Sequence, residues 1–353
     1  MYTKKRYSAL AMLLWTRNET LIFVVMSVVP VVIYDVFEQR WLHLPWLPIA
    51  LVGTAVAFIL GFQNNAVYGR LWEARKIWGG IVNASRAWGF QVNDFVTNQF
   101  ADEPASEEEL AGIRRCLVLR HIAWMTALRH ALRASRPWEG GVSEGTNKEW
   151  AARIGVREHH ITLRDDIVDY VPADDLECVL RRANPAAQLL GKQSAQLRAL
   201  RERGLIEDFR HMEMQSTLTE LVGHQGKSER IKNFPYPRQY ATLNWGFLWA
   251  FLVLLPLGML HEFDKVGQSI QAEHGQIGEL FIWFSVPLTV LVMWVFHTLE
   301  RIGRVGENPF EGSPNDVPIT TMARGIEIDL RELLGEDPAT IPSPIEAKFG
   351  TQT

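Results

Sequence analysis

Apolar residues in this chain are segregated rather than spread. Crossing a hydrocarbon layer takes about 20 mostly apolar residues at helical rise. Four stretches come close to that length, at about residues 20–36, 46–67, 240–260 and 280–298. The first is the shortest, carries Pro30, which predicts a kink, and meets Asp35 near its end. The second is rich in small residues (Ala50, Gly53, Thr54, Ala55, Ala57, Gly61), which let membrane helices approach closely. The third and fourth carry Trp245, Trp249, Trp283 and Trp294 and read as packing or lipid-facing helices.

Between the two pairs, residues from about 71 to 237 are polar, helical in period and too many for a linker. Val118, Ile122, Met125, Leu128 and Leu132 recur at steps of three and four with Arg120, Arg129 and Arg133 between them, which predicts an amphipathic helix. The same period returns around Leu189–Leu200 and Met214–Leu221, and strand alternation is absent. Interruptions rich in proline, glycine and serine predict loops at Ala101–Ser106 and Ala134–Asn147. From Phe62 to Trp88 no proline intervenes, so one helix is predicted to run on from the second span, weakened in places by Gly69, Gly79 and Gly80. The division is one unit over 1–330 and a tail over 331–353 that is extended or mobile, given Pro338, Pro342 and Pro344.

Whole-chain averages hide this pattern. At 47% hydrophobic and 22% charged the composition would pass for a soluble enzyme, and the net charge of −4 gives no reason to expect nucleic acid. Cys116 and Cys178 are far apart and imply neither a disulfide framework nor a metal motif. His121, His130, His159 and His160 have no third ligand at a suitable spacing, so no metal and no cofactor is expected. Lysine and arginine cluster at one set of span ends (Lys4, Lys5, Arg6, Arg17; Arg70, Arg75, Lys76; Arg238; Arg301, Arg304). The short loops carry Glu38 and Arg40, then Glu262, Asp264, Lys265, Glu273 and Glu279. By the positive-inside rule both termini and the long middle are cytoplasmic.

Three separated stretches resemble the bestrophin family of ion channels, its bacterial branch in particular. They are Leu60-Gly61-Phe62-Gln63-Asn64-Asn65-Ala66-Val67-Tyr68-Gly69-Arg70-Leu71-Trp72-Glu73, Phe234-Pro235-Tyr236-Pro237-Arg238-Gln239-Tyr240, and Glu307-Asn308-Pro309-Phe310. The likeness spans about Arg6 to Leu330. It implies an all-α fold, with four transmembrane helices continuing into a large cytosolic helical region, assembled as a homopentamer in a bacterial inner membrane. It implies one central path with a hydrophobic neck at Thr54, Phe58 and Phe62 and a cytosolic aperture at Tyr236. Asn64, Asn65, Arg70, Trp72, Glu73, Pro235, Pro237, Asn308, Pro309 and Phe310 are then structural motif residues. Tyrosine and threonine replace the family's aliphatic aperture residue and outermost apolar neck residue. The run of acidic residues that forms the calcium clasp of animal members is missing after Phe310, so calcium gating does not carry over.

Independently of that likeness, Thr54, Phe58 and Phe62 fall at i, i+4 and i+8, one stripe of a helix. Copies arranged around an axis would stack rings that offer no ligand to replace an ion's hydration shell and that can gate by dewetting. The plainer reading is helix packing. For Tyr236 it is a rigid turn, for Glu73, Arg75 and Lys76 a salt-bridged surface, and for Asn308-Pro309-Phe310 an ordinary turn instead of an anchor on a neighbouring subunit. The resemblance implies a passive channel for small monovalent ions, chloride or other anions first. A monovalent cation channel of the same architecture stays open, since the neck carries no charge. An enzyme is not expected, because no nucleophile–base pair or paired carboxylates appear. A coupled transporter would need charged groups inside the spans, and a scaffold would pass no ions. The expected partners are the chain's own copies, membrane lipid and the permeating ions.

Overall fold

The computed structural model describes residues 1–139 and 145–353, the side chains of 272–274 excepted. Among these the chain is helical with no strand, and its β-bridges are isolated ones at Tyr2–Thr351 and Lys348–Thr351. The order is α1 (Ala9–Trp15), α2 (Arg17–Val31), α3 (Trp46–Phe95), α4 (Glu107–Arg133), α5 (Gly145–Ile154), α6 (Leu163–Ile167), α7 (Ala173–Leu180), α8 (Pro185–Glu202), α9 (Asp208–Asn233), α10 (Arg238–His274), α11 (Gln276–Leu280), α12 (Ser285–Val305) and α13 (Ile319–Leu333).

Among the described residues four helical segments are long and apolar enough to cross a membrane: Arg17–Val36, Trp46–Phe95, Arg238–Gln271 and Gln276–Val305. Only 22–44% of each apolar window is buried inside the chain, so most of that surface faces outward, as a lipid solvent allows. Around Pro30 the helix continues, and the irregularity falls just after it as a wider π turn over Val32–Val36. The spans pack around Phe23, Val56, Leu60, Leu248, Leu252 and Met293. On the side remote from the helical body, Trp283 donates to Asp35 (3.0 Å) and Tyr34 to Asp264 (2.9 Å).

The predicted continuation of the second span is present, because α3 runs unbroken for 50 residues, roughly 75 Å. Its glycines act as contacts as well as weak points: a Cβ at Gly80 would lie 2.4 Å from the His224 ring, and one at Gly89 2.5 Å from Leu330. Close approach to α9 and α13 is what these positions give in return for helix propensity.

Three expectations are revised. The loop expected after Leu260 is largely helix, since α10 continues to His274 before turning at Gly275 (φ 48°). There α11 folds back on it so closely that a Cβ on Gly278 would sit 2.5 Å from the Gln271 Cα. The Glu273 side chain lies outside the described residues. Second, α4 is not amphipathic in place, because α3, α6, α8 and α13 surround it and bury Arg120, Arg129 and Arg133 to 5%, 7% and 3% exposure. Acids and amides elsewhere in the chain satisfy these arginines: Asp175 and Gln196 take Arg120, and Glu158 takes Arg129. Third, the tail is not loose. Thr3 N donates to Gly350 O (2.8 Å) and Gln352 N to Met1 O (2.9 Å), tying the end of the chain to its beginning, and Thr321 N donates to Thr353 O (2.8 Å), tying it to α13. Its start at 331 falls inside the last turn of α13. Of the predicted loop at Ala134–Asn147, residues 145–147 are helical and 140–144 lie outside the described residues.

Candidate functional site

The rotation of α3 is set by what it buries. Ile49, Gly53, Val56, Leu60, Gln63 and Val67 recur at steps of three and four and face the other spans, with Gly53 so tight on Phe251 that a Cβ would sit 2.6 Å from the ring. That leaves the opposite stripe outward. Phe58 is 66% and Phe62 72% exposed, large apolar groups left uncovered by the described residues, and Thr54, also exposed, returns its hydroxyl to Ala50 O (2.9 Å). The stripe borders an apolar groove of about 1020 Å³ between α3, α10 and α12.

Behind Phe62 lies a buried polar layer in which the motif residue Asn64 is joined by Gln63 and Asn244, to which the sequence assigns no role. Asn244 donates to Gln63 (3.1 Å), both being at most 5% exposed, and Asn64 donates to Leu60 O (2.9 Å) and across to Leu299 O (3.1 Å). Gly303 lets α12 approach this layer, its Cβ position lying 3.3 Å from the Asn64 oxygen. Amides paired this way at membrane depth fix the helices to one another.

Arg70 organises a second group. Its guanidinium donates to Ile231 O (2.8 Å), Phe234 O (2.9 Å) and Glu307 O (3.0 Å), satisfying the end of α9 and the chain leaving α12 together. Pro235, Tyr236, Arg238 and Asn308 line a cavity of about 140 Å³ beside it. Tyr236 is half-buried there, next to Tyr240 (ring centroids 6.4 Å), and burial pushes its phenol up, against an opposing pull from Asn244. Pro237 begins α10. Tyr236 thus sits beside Arg70, about 12 Å of helix rise beyond Phe62, while α3 runs on for roughly 38 Å more. It lies at the span boundary, just before α10 begins, and not at the far end of the helical body.

Of the remaining motif residues, Asn65 and Trp72 are exposed, Trp72 stacks with Tyr68, and Arg75 lies over the Trp72 ring (5.4 Å). Glu73 pairs with Arg230 (2.5 Å), the plain salt-bridge reading. The Asn308-Pro309-Phe310 turn anchors within its own chain. Asn308 accepts from Phe310 N (3.2 Å) and donates to Glu139 (2.7 Å), Pro309 O accepts from Val317 N (3.0 Å), and Phe310 is fully buried.

Glu311 next to this turn is set apart. Burial, then the neighbouring Asp316 and Glu139 carboxylates, push it up to about 8, against a partial pull from Lys232. Its neutral form is the one the fold accepts. With the folded value above the unfolded one, the advantage is complete below the ordinary carboxylate range and is lost as pH rises through about 8. Glu311→Gln is therefore expected to flatten the fall of thermal stability between weakly acidic and weakly alkaline pH. An unchanged slope in the variant would show that Glu311 is already ionised.

Sequence reading also passed over Phe209, at 79% the most exposed large apolar side chain among the described residues, with Met212 at 66% one turn on. Both stand at the start of α9, the end remote from Arg70, where Thr97 N meets Leu205 O below α3. The signal was two apolar residues at i, i+3 in an otherwise polar stretch. Among the described residues no group of three or more histidine, cysteine or acidic side chains is placed to hold a metal.

Comparison with known proteins points one way. A family described as bacterial/fungal bestrophin protein matches residues 11–332. A voltage-dependent anion channel-forming protein of Ralstonia nicotianae is 29% identical over 304 residues, 83% of this chain and 82% of that one. A protein of the same description from Escherichia coli K12 is 26% identical, over 84% and 79%. Among solved structures, a bacterial bestrophin homologue from Klebsiella pneumoniae superposes with a TM-score of 0.68 at 23% identity, covering 91% of this chain and 99% of that one, a likeness of fold.

Proposed function

Because this chain belongs to the bacterial and fungal bestrophin family, we propose that it is a passive channel for small monovalent anions, built from copies of itself around a central axis. The observation that carries the reading is the pair of uncovered phenylalanines on α3: Phe58 and Phe62 are turned away from a well-packed core, on a helix whose rotation that core fixes. Five copies would bring Thr54, Phe58 and Phe62 into three rings, a hydrophobic neck that conducts only when wetted. The aromatic edge is the positive side of the ring, so rings presented edge-on favour anions. The anion-channel descriptions of the relatives from Ralstonia nicotianae and Escherichia coli support the same sign of charge. The basic span ends, from Lys4 to Arg304, support a topology with both termini and the helical body on the cytoplasmic side of the membrane.

A second constriction has two candidates. Tyr236 has the motif position in its favour, and Phe209 with Met212 has exposure and distance from the neck. In planar bilayers under an asymmetric potassium chloride gradient, the protein is expected to reverse near the chloride equilibrium value; reversal near the potassium value would establish the cation reading instead. Tyr236→Ala and Phe209→Ala measured side by side separate the two positions. The variant that alters rectification or anion preference marks the constriction, and no current from a verified oligomer would overturn the channel reading altogether.

A further inference from the structure

The segment before the first span forms a helix that no sequence signal announced. Ser8 caps α1 by accepting from Ala11 N (3.1 Å), and Thr16 closes it. One side of α1 is tied down: Trp15 O accepts from Arg301 (2.9 Å), the Trp15 indole donates to Asn147 (2.6 Å), and the Trp294 indole donates to Thr16 (2.8 Å). The other side carries Leu10, Leu13 and Leu14, at i, i+3 and i+4, which are 67%, 55% and 50% exposed. Those three are covered by none of the described residues.

The span that follows decides where this face lies. Arg17–Val36 is 20 residues, roughly 30 Å of helix, which already fills the hydrocarbon layer. α1 therefore sits beyond the hydrocarbon, at the level of the headgroups, with its own Trp15 and the neighbouring Trp294 as interfacial aromatics. Its open leucines continue the outward stripe of Leu21, Val25 and Val29 on α2. Directly before it come Lys4, Lys5 and Arg6, all exposed. Near its end Arg17 pairs with Glu149 (2.6 Å) and so adds no free charge.

We propose that α1 is an interfacial anchor that lies in the headgroup layer of anionic lipid, leucines toward the acyl chains and the Lys4–Arg6 run on the phosphates. Charge complementarity and continuity with the lipid-facing stripe of α2 name the bilayer as occupant, in preference to a protein partner. Through Trp15 O and Arg301, which is 2% exposed and also paired with Glu19 (3.1 Å), the anchor is joined to the end of α12. The inference stands apart from the anion-channel reading, since lipid contact needs no ion flux.

The test uses the full chain with Cys116→Ser and Cys178→Ser, reconstituted in phosphatidylcholine vesicles with and without phosphatidylglycerol. Nitroxides are attached in turn at Leu10→Cys, Leu13→Cys, Leu21→Cys as a deep control and Glu103→Cys as an aqueous control. In anionic vesicles the labels at 10 and 13 are expected to favour oxygen over a polar nickel chelate several-fold more than the label at 103, and less than the label at 21. Changing Lys4, Lys5 and Arg6 to glutamine, or raising the salt, is expected to remove most of that preference. Labels at 10 and 13 that match position 103 would overturn the proposal. So would labels shielded from both reagents, which would mean that a protein, such as a second copy, covers the face. Equal protection without phosphatidylglycerol would overturn the anionic part.

Discussion

Phe58→Ala is expected to raise single-channel conductance several-fold and to shorten or abolish closed intervals, with Phe62→Ala close behind. Both side chains are uncovered within the subunit, so truncation removes almost nothing from its core; at exposed positions of this kind the cost to stability is within about 0.5 kcal/mol. What it removes is the apolar ring. A constriction of benzyl groups expels water because it offers no hydrogen bonds, and while dry it passes no hydrated ion; alanine widens the passage, keeps it wet and lets hydrated ions through. Leu60→Ala is the contrasting control, because Leu60, 1% exposed, points into the core of the spans, and a cavity there costs about 2–5 kcal/mol without touching the path. Bilayer recordings of the three variants, with thermal stability measured on the same preparations, separate the cases. A Phe58→Ala oligomer of normal stability and unaltered conductance would remove Phe58 from the neck.

That contrast also marks how far the sequence was legible. Length and hydropathy were enough for the four spans and for the continuity of α3, because a membrane span depends on local composition and a helix lacking proline has little reason to stop. The stripe of Thr54, Phe58 and Phe62 could be drawn from period alone. Which side of α3 it took depended on Gly53 meeting Phe251 and Gly258 meeting Ile49, contacts between residues roughly 200 positions apart. The same limit hid the polar layer: Gln63 and Asn244 are ordinary amides until the fold sets them 3.1 Å apart. Tyr236 was assigned from a motif, and a motif carries position along the chain but not position along the pore. α1 went unread because seven residues give a period too short to recognise, and its partners Asn147 and Arg301 lie far off in sequence.

The reading of α4 failed most instructively, and it leads to the second large effect. Glu158→Ala is expected to destabilise the protein by about 3–5 kcal/mol, the cost of stranding buried charge. The Glu158 side chain is fully buried and faces Arg129 (2.5 Å) and Arg133 (3.8 Å), while Thr320 donates to it (2.8 Å). Arg133 in turn donates to Phe310 O and packs on Gly312, where a Cβ would lie 2.9 Å from the guanidinium. One carboxylate therefore holds α4, α13 and the turn after α12 together. Arginines at these positions look like a solvated face in the sequence because their neutralising acid is 29 residues from Arg129 in a short irregular segment. Burial alone would raise the Glu158 value, but Arg129 and Arg133 outweigh it and hold the group below the ordinary carboxylate range; His130, Arg157 and Arg129 do the same for Asp166. With folded values depressed, this stabilisation is present above the ordinary carboxylate range and is lost as pH falls through the folded values. Wild-type protein in detergent should lose thermal stability steeply on acidification, and Glu158→Ala should start lower and show a shallower acid limb. Glu158→Gln, which keeps the hydrogen bond to Thr320 and loses the charge, should fall between. If Glu158→Ala melts like the wild type at neutral pH, the arginines are satisfied without it, and the turn carrying Phe310 is held by packing alone.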